Sequence, residues 1–177
     1  MIVRAATEAD AAALAAIYGH AVAHGFGTFE ETPPDVAELA SRKAAVDALG
    51  LPYLVADDGG VVGYAYAAPF RTRAAYRYTV EDSVYVAPDS TGKGVGRALV
   101  GRLIEACEGL GLRQMLAVIG DSANAGSIGL HAAMGFEQMG VTPGLGFKFG
   151  RWVDVVWMQR RLNDGEARSP CGAGLKF

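Results

Sequence analysis

Apolar residues along the chain recur at either strand or helix spacing, and the change from one spacing to the other predicts its elements. A short apolar strand, Ile2 to Ala6, comes first, and Thr7 with Asp10 then forms a variant of the capping box that starts a helix. The apolar face of this helix repeats at i, i+3, i+4 and i+7 and consists of Leu14, Ile17, Tyr18 and Ala21. The N-terminal part of the chain therefore predicts a strand followed by an amphipathic helix.

The same patterns continue along the chain and predict a mixed α/β domain. Asp57-Asp58-Gly59-Gly60 separates two β-rich runs, as a hairpin turn does. The elements predicted after the first helix are a helix from Asp35 to Leu49, strands Tyr53 to Ala56, Val61 to Ala68 and Thr79 to Ala87, a helix from the Gly92–Gly96 segment to Gly109, a strand Met115 to Ile119, a helix Asp121 to Met134, and strands Phe136 to Val141 and Arg151 to Arg161. The order β-α-α-β-β-β-α-β-α-β-β favours a mixed sheet with helices on both faces over a strictly alternating doubly wound sheet.

Composition indicates one domain with its own core. A length of 177 residues is typical of one domain, and an apolar content of 51% excludes an intrinsically disordered chain. Residues 1–162 are predicted to form the domain, and the polar, aperiodic residues 163–177 a flexible C-terminal tail. A formal net charge of −3 provides no basic field, so neither nucleic acid nor a membrane is an expected partner.

The cysteines and the N-terminal segment indicate the cellular compartment in which the protein is expected to act. Cys107 and Cys171 are too few for a disulfide framework or a cysteine-built zinc site, and no metal is expected. Arg4, Glu8 and Asp10 interrupt the region where a signal peptide needs an unbroken apolar stretch. No uncharged apolar run approaches the roughly 20 residues of a membrane span. We therefore expect a cytoplasmic protein with free thiols.

The segment Thr91-Gly92-Lys93-Gly94-Val95-Gly96-Arg97 joins a predicted strand to a predicted helix and is the first candidate site. Glycines let the backbone turn sharply and let a ligand approach bare amides, and the start of a helix offers free N–H groups at the positive end of its dipole. Lys93 and Arg97 add positive charge. These features favour a phosphate-binding loop, although a glycine-rich turn without a ligand has the same local pattern.

Spacing excludes two common phosphate motifs. A Walker A loop requires Ser or Thr after its lysine, whereas Gly94 follows Lys93. A dinucleotide fingerprint, G-x-G-x-x-G, requires a third glycine where Arg97 or Leu99 stands. The spacing of the glycines alone therefore does not identify the ligand of the loop.

Several separated segments resemble one family of enzymes. The glycine loop, behind a strand that ends Val84-Tyr85-Val86-Ala87-Pro88, resembles the acetyl-CoA loop [QR]-x-x-G-x-[GA] of the GNAT superfamily of N-acetyltransferases, with Thr91 in place of Gln or Arg. The segments that are similar to the phosphinothricin and methionine sulfoximine acetyltransferases are Thr79 to Val86, Asn124 to Ile128 with His131, Gly135-Phe136, and Phe147 to Trp152. The similarity covers Ile2 to Leu162, which is nearly the whole predicted domain.

The resemblance implies a fold and a co-substrate. The implied fold is GNAT-like, with a central mixed, mostly antiparallel twisted sheet between helices, and the implied co-substrate is acetyl-CoA. Its pyrophosphate would lie on the loop amides, and its pantetheine arm would pair with Val84 and Val86 like an added strand. The residues that the resemblance assigns to acetyl-CoA are Val84, Tyr85, Val86, Thr91, Gly92, Lys93, Gly94, Val95, Gly96, Arg97, Asn124 and Ser127.

Two titratable residues are candidate catalysts. Glu81 is the candidate base, but some 16–17 Å of extended strand separate it from Val86, so the substrate amine or a water must bridge the distance. Asn124, Ser127 and His131 can share one helix face. In the wider superfamily a Tyr often stands at the position of His131 and serves the departing thiolate, and an imidazole titrates in a range suited to that role.

Residues near the Glu81 strand are candidate substrate contacts. Close relatives carry arginines at the positions of Arg71 and Arg77, and arginine pairs well with a carboxylate. Phe29 and Tyr76 are expected to wall the side-chain pocket. Lys148 is also assigned to the substrate and lies in the segment that in the family reaches the partner subunit.

These features predict an acetyl-CoA-dependent N-acetyltransferase that forms a homodimer and acts on the α-amine of a small amino acid. Phosphinothricin, methionine sulfoximine and methionine sulfone are the expected kinds of substrate. One alternative is a GNAT enzyme for a peptide N-terminus or a polyamine, although a polyamine site favours an acidic lining. Another is a non-catalytic acyl-CoA-binding module, which the loss of Glu81 and Asn124 would have favoured; both residues are present.

Overall fold

Seven strands form one sheet in which sequential order and spatial order differ. The computed structural model describes residues 1–177. The strands are β1 (Ile2–Ala5), β2 (Tyr53–Asp57), β3 (Val61–Pro69), β4 (Thr79–Val86), β5 (Gln114–Gly120), β6 (Glu137–Lys148) and β7 (Arg151–Arg161), and the α-helices are α1 (Ala11–His24), α2 (Val36–Ala48), α3 (Val95–Gly109) and α4 (Ala125–Ala133). The sheet runs β1-β2-β3-β4-β5-β7-β6, with β4 and β5 parallel among antiparallel neighbours. The predicted mixed, mostly antiparallel sheet is confirmed.

Helices cover both faces of the sheet. On one face α3 lies so close to β3 that a Cβ at Gly63 would be 2.9 Å from Cγ1 of Val95. On the other face Tyr18 of α1 meets Tyr85 of β4 edge to face, with ring centroids 4.8 Å apart. Gly63 pairs with Val86, the residue after Tyr85, so the two contacts are on opposite sides of the sheet. None of the helices has the length and apolar character that crossing a bilayer requires.

The parallel strands β4 and β5 part in the middle of the sheet. They pair only over Thr79–Asp82 and Gln114–Ala117. Beyond that point β4 stays paired with β3 up to Val86, and β5 stays paired with β7 up to Gly120. The backbone groups of residues 83–86 that face β5 are therefore without a partner strand and border a gap into which an extended ligand fits.

Strand β6 is longer than the sequence pattern predicts. It continues past the predicted end at Val141 to Lys148, because Gly146 to Lys148 pair with the first residues of β7. Pro143 lies where the register shifts between Thr142 and Gly146, and this irregularity interrupts the alternation that marks a strand.

Helix α4 begins later than the sequence pattern predicts. Asp121, its predicted first residue, has a φ of 72°, which is incompatible with a right-handed helix. Asn124 is the N-cap instead, and its side chain accepts a hydrogen bond from the N–H of Ser127. The turn from Asp121 to Asn124 therefore separates β5 from the helix.

The C-terminal residues lie against the start of β4. The N–H of Leu175 donates to the carbonyl of Arg77 at 2.8 Å, and the hydroxyl of Tyr78 donates to the carbonyl of Gly172 at 2.5 Å. The division into a domain of residues 1–162 and a flexible tail of residues 163–177 stays a prediction.

Candidate active site

A cleft of about 400 Å³ opens where β4 and β5 part. Its walls come from the loop after α1, from β3, β4 and β5, and from α4. The residues with a predicted role that border it are Phe29, Glu81, Val84, Tyr85, Asn124, Ser127 and His131. The fold therefore brings the two candidate catalysts, which lie on different elements, to one cleft.

Glu81 borders the cleft with a carboxyl group that is suited to proton transfer. Burial and the neighbouring Asp82 carboxylate raise the pKa of Glu81 to about 7, against the opposing charge of Arg71. A glutamate with its ordinary pKa near 4.3 is a weak base, whereas one that titrates near pH 7 is basic and still substantially ionised at neutral pH. The structure thus gives the predicted base the proton affinity that the role requires.

His131 is buried and pairs with Asp82, a residue that the sequence analysis did not single out. Its Nε2 lies 3.0 Å from Oδ2 of Asp82, and its Nδ1 lies 2.8 Å from the carbonyl oxygen of Ser127. Burial by itself would lower the pKa of His131, but the hydrogen bond and charge of Asp82, helped by Ser127, raise it. The sequence feature that could have indicated this pairing is an acidic residue at an inward-facing position of a strand, directly after the candidate base.

The glycine loop borders a second cavity, of about 490 Å³, beside the N-terminus of α3. Gly92 and Gly94 have φ values of 74° and 82°, in the left-handed region that favours glycine. Gly96 is needed for packing, because a Cβ there would lie 3.0 Å from Cδ2 of Leu130 in α4. The predicted cofactor residues that border this loop cavity are Val84, Val86, Thr91, Gly92, Gly94, Val95, Gly96, Arg97, Asn124 and Ser127.

Two predicted cofactor residues do not border the loop cavity. Lys93 is exposed at the tip of the loop. The Tyr85 side chain packs against Tyr18 and Tyr64 on the opposite face of the sheet. Only the backbone of Tyr85 is therefore placed to meet a ligand in the gap beside β4.

Asn124 and Ser127 connect the loop cavity with the cleft. The Asn124 side chain accepts from the N–H of Ser127 at 3.1 Å and donates to the carbonyl of Gly120 at 3.4 Å, which fixes it between β5 and α4. With Val84, these two residues border both spaces. A ligand that extends from the glycine loop along β4 is therefore directed towards Glu81 and His131.

Phe29 forms one wall of the cleft, and two glycines make room for its ring. A Cβ at Gly146 would lie 2.6 Å from Cδ2 of Phe29, and a Cβ at Gly120 would collide with the carbonyl oxygen of Phe26 and lie 3.2 Å from Cε1 of Phe29. The loop that carries Phe29 is thus packed against both β5 and β6.

Lys148 holds the same loop from inside the protein. Its side chain is buried, and Nζ donates to the carbonyls of Gly25 and Thr28 at 2.8 Å each. The residue does not border the cleft. Lys148 therefore positions the wall of the cleft within its own chain, and the predicted direct contact with substrate has no support from its placement.

The two candidate arginines have different surroundings. Arg71 lies close enough to oppose the rise in the pKa of Glu81. Arg77 donates instead to a backbone carbonyl in the preceding turn, at 2.8 Å. Tyr76 rests edge to face against Phe70, and none of Arg71, Tyr76 and Arg77 borders the cleft.

The chain belongs to the GNAT acetyltransferases, since the acetyltransferase (GNAT) domain model matches residues 3–157. The chain is 55% identical over 169 residues to a phosphinothricin N-acetyltransferase of Alcaligenes faecalis, across 95% of this chain and 86% of that protein. It is 42% identical over 172 residues to an L-methionine sulfoximine/L-methionine sulfone acetyltransferase of Salmonella typhimurium, across 97% and 100% of the two chains.

A solved structure shows the same architecture with a ligand bound. The crystal structure of a GNAT superfamily phosphinothricin acetyltransferase from Sinorhizobium meliloti, in complex with acetyl-CoA, matches with a TM-score of 0.94. The two chains are 47% identical, and the match covers 98% of this chain and 94% of that one. The family, the enzyme class and the fold expected from the sequence are confirmed, and the roles of the individual residues stay predictions.

Proposed function

We propose that this protein transfers the acetyl group of acetyl-CoA to the α-amine of a small amino acid, such as phosphinothricin, methionine sulfoximine or methionine sulfone. The observation that carries this proposal is that the loop cavity and the cleft meet at Val84, Asn124 and Ser127. A thioester held in the first space faces the second, where a substrate amine or a water bridges the distance to a basic carboxylate, Glu81. The names of two relatives, from Alcaligenes faecalis and Salmonella typhimurium, support this class of substrate.

The glycine loop and β4 supply the groups that acetyl-CoA requires. The free N–H groups in the first turn of α3 favour a pyrophosphate, and the charge of Arg97 adds to the attraction. The backbone of residues 83–86 is free on the side of β5 and accommodates a pantetheine arm in the manner of an added strand. The backbone N–H groups near Val86 are the proposed donors to the thioester oxygen, where negative charge develops during the reaction.

Glu81 and His131 are assigned two of the proton transfers of the reaction, the first from nitrogen and the one to sulfur. Glu81 accepts a proton from the substrate ammonium, directly or through one water, and the freed amine attacks the thioester carbon. The C–N bond forms and the nitrogen then loses its second proton to solvent water, while the C–S bond breaks and its electron pair passes to sulfur. The resulting thiolate accepts a proton, for which His131 is the candidate donor.

Arg71 is the proposed partner of the substrate carboxylate. Its guanidinium acts on Glu81 from outside the cleft, and an arginine forms bidentate pairs with a carboxylate. Phe29 then walls the substrate side chain, with Lys148 holding the Phe29 loop in place. Arg77 and Tyr76, the other predicted substrate contacts, lie further along the same loop and turn.

A second copy of this chain is the proposed partner of the β6–β7 hairpin. Strand β6 is at the edge of the sheet, and the hairpin carries a group of exposed apolar side chains. These are Met139, Val141, Leu145, Phe147, Phe149 and Trp152, which are between 42% and 66% exposed. An apolar patch of this kind on an edge strand favours a protein interface, and the predicted homodimer covers it.

We also propose that the protein acts in the cytoplasm. Cys107 is a buried free thiol and Cys171 an exposed one, and free thiols are typical of proteins in reducing compartments.

Thiol release from acetyl-CoA, measured with a panel of amino acids, tests the proposed function. Methionine sulfone and methionine sulfoximine are expected to release coenzyme A, and their amides and decarboxylated amines are expected to react poorly. Acetyl-CoA alone is expected to raise the melting temperature, because a ligand of the folded state stabilises it. A melting shift without turnover on any amine would indicate a binding module, and equal rates for acids and amides would indicate a peptide or polyamine enzyme.

A further inference from the structure

Asp82 and His131 form a buried pair in which each side chain is the only ionic partner of the other. Their side chains are 0% and 3% exposed, and 3.0 Å separates Oδ2 of Asp82 from Nε2 of His131. The second carboxylate oxygen, Oδ1, is buried and accepts no hydrogen bond from the protein. No arginine or lysine forms an ion pair with Asp82, so its charge depends on the imidazole alone.

The hydrogen bonds of His131 limit where the protons of this pair reside. Nδ1 is 2.8 Å from the carbonyl oxygen of Ser127, which only accepts, so Nδ1 carries a hydrogen. The contact between Nε2 and Oδ2 then needs one further proton, on the nitrogen or on the oxygen. Imidazole is the stronger base by about 2.6 pKa units in water, and a close opposite charge offsets part of the cost of burying each ion. The pair carries no net charge in either arrangement, and the hydrogen bond and charge of Asp82, which raise the pKa of His131, favour the imidazolium carboxylate.

We propose that Asp82 is a positioning residue of the acetyl transfer: its carboxylate keeps His131 protonated at neutral pH and places the negative end of the ion pair beside Glu81. This inference rests on the proposed function, in which Glu81 acts as base and His131 as proton donor. Burial raises the pKa of Glu81 and lowers that of His131, and Asp82 raises the pKa of both. One carboxylate thus sets the pH range in which base and donor are both in their working forms.

The other titratable groups around the pair do not replace Asp82. Cys107 of α3 also faces Asp82, and burial raises the pKa of its thiol to about 12, so it is uncharged at neutral pH. Glu81 is faced by Arg71 and by Tyr66 of β3, and the pKa of Tyr66 is raised by burial. Arg71 is therefore the one cation near Glu81 other than the imidazolium, and it acts against the effect of Asp82.

Nuclear magnetic resonance of histidine nitrogens tests the proposal without any need for turnover. The chain has three histidines, and His20 and His24 are exposed on α1, so they serve as internal references. We expect both nitrogens of His131 to be protonated at pH 7 in the unmutated protein. In Asp82→Asn the titration of His131 is expected to move down by about one pH unit or more, while His20 and His24 do not move. A neutral His131 in the unmutated protein, or the same titration in the variant, overturns the proposal.

The pH profile of acetyl transfer distinguishes positioning from a purely structural role. The profile of the unmutated enzyme is expected to be bell-shaped, because Glu81 must be ionised and His131 protonated. In Asp82→Asn both limbs are expected to move to lower pH, since the pKa of each group loses the contribution of the carboxylate. A variant with only structural damage loses rate at every pH, with both limbs unmoved, and this result also overturns the proposal.

Two comparisons keep the test decisive. Asp47→Asn removes the same charge from the exposed surface of α2, and its limbs are expected to stay in place. If Asp82→Asn does not fold, Asp82→Ser offers His131 an uncharged partner, and the His131 titration of the unmutated protein still decides its protonation. If no amino acid is acetylated, the proposed function fails, while the histidine titration continues to test the pair.

Discussion

The ring of Phe29 occupies the space that a side chain at position 146 would need, so that only glycine fits there. A Cβ at Gly146 would lie 2.6 Å from Cδ2 and 2.7 Å from Cζ of that ring. The wall of the cleft therefore rests on β6, the strand that carries four of the six exposed apolar residues of the proposed dimer interface. A larger residue at Gly146 is therefore expected to change the substrate side of the cleft.

Gly146→Ala is expected to displace Phe29 and to raise KM for the amino acid. Overpacking costs typically about 1–3 kcal/mol, which lowers the melting temperature by several degrees. Gly140→Ala is the matched control on the same strand, because no atom lies within 4 Å of a Cβ at Gly140. Melting curves and steady-state kinetics of both variants provide the test. Equal KM values for the two variants would show that the Phe29 wall does not contact the substrate.

Gly94→Glu is expected to abolish the rise in melting temperature that acetyl-CoA causes. The substitution places a carboxylate at the proposed phosphate site and strains a backbone with a φ of 82°. Gly59→Glu controls for the strain, since Gly59 has a φ of 79° in the β2–β3 turn and also has open space around a Cβ. The measurement is the ligand-induced melting shift, which Gly59→Glu should retain. A full shift in Gly94→Glu would remove the assignment of the glycine loop.

Glu81→Gln is expected to lower kcat at pH 7 by about 10²–10⁴-fold, the usual contribution of a positioned general base. Because the pKa of Glu81 is raised to about 7, the activity of the unmutated enzyme should rise as the pH increases through that value and the carboxylate ionises. The deficit of the variant should shrink at high pH, where the free amine is abundant. Turnover near that of the unmutated enzyme at pH 7 would show that another group is the base.

Arg71→Ala is expected to lower kcat/KM for amino acids at least tenfold, since losing one partner of a desolvated charge pair costs about 2–5 kcal/mol. The comparison is Arg77→Ala, whose guanidinium already donates to a backbone carbonyl, so a smaller loss is expected. Methionine sulfone and its amide should be assayed side by side in both variants. A carboxylate contact at Arg71 predicts that the variant loses rate on the acid but little on the amide. Equal rates on acid and amide in the unmutated enzyme would end the hypothesis.

Phe147→Ser with Trp152→Ser is expected to convert the proposed dimer into a monomer. These side chains are 55% and 66% exposed, and their rings meet edge to face at 5.3 Å on the surface of the hairpin. Leu110→Ser is the control, because Leu110 is 51% exposed after α3 and lies outside the hairpin. Molar mass in solution, measured by light scattering, gives the result. A dimer that persists in the double variant would place the interface elsewhere.

The sequence by itself determined the order of the elements, the glycine loop and the candidate base. Each of these depends on residues that are close in the chain. Helical and strand periods extend over one element, the loop from Thr91 to Arg97 is continuous, and Glu81 follows from its immediate sequence context. The sequence pattern did not predict the end of β6 or the start of α4 correctly. A register shift at Pro143 and a positive φ at Asp121 are local departures from regular spacing, which the pattern does not reveal.

Only the tertiary structure decided which side chains work together. Asp82 and His131 are 49 residues apart, and Lys148 lies more than 100 residues from the two carbonyls that it binds. Their contacts depend on how α4 and β6 fold back on the gap between β4 and β5. Burial then raised the pKa of Glu81, and the gap left the backbone of residues 83–86 free. Desolvation and long-range pairing are properties of the packed molecule, and no local pattern of residues encodes them.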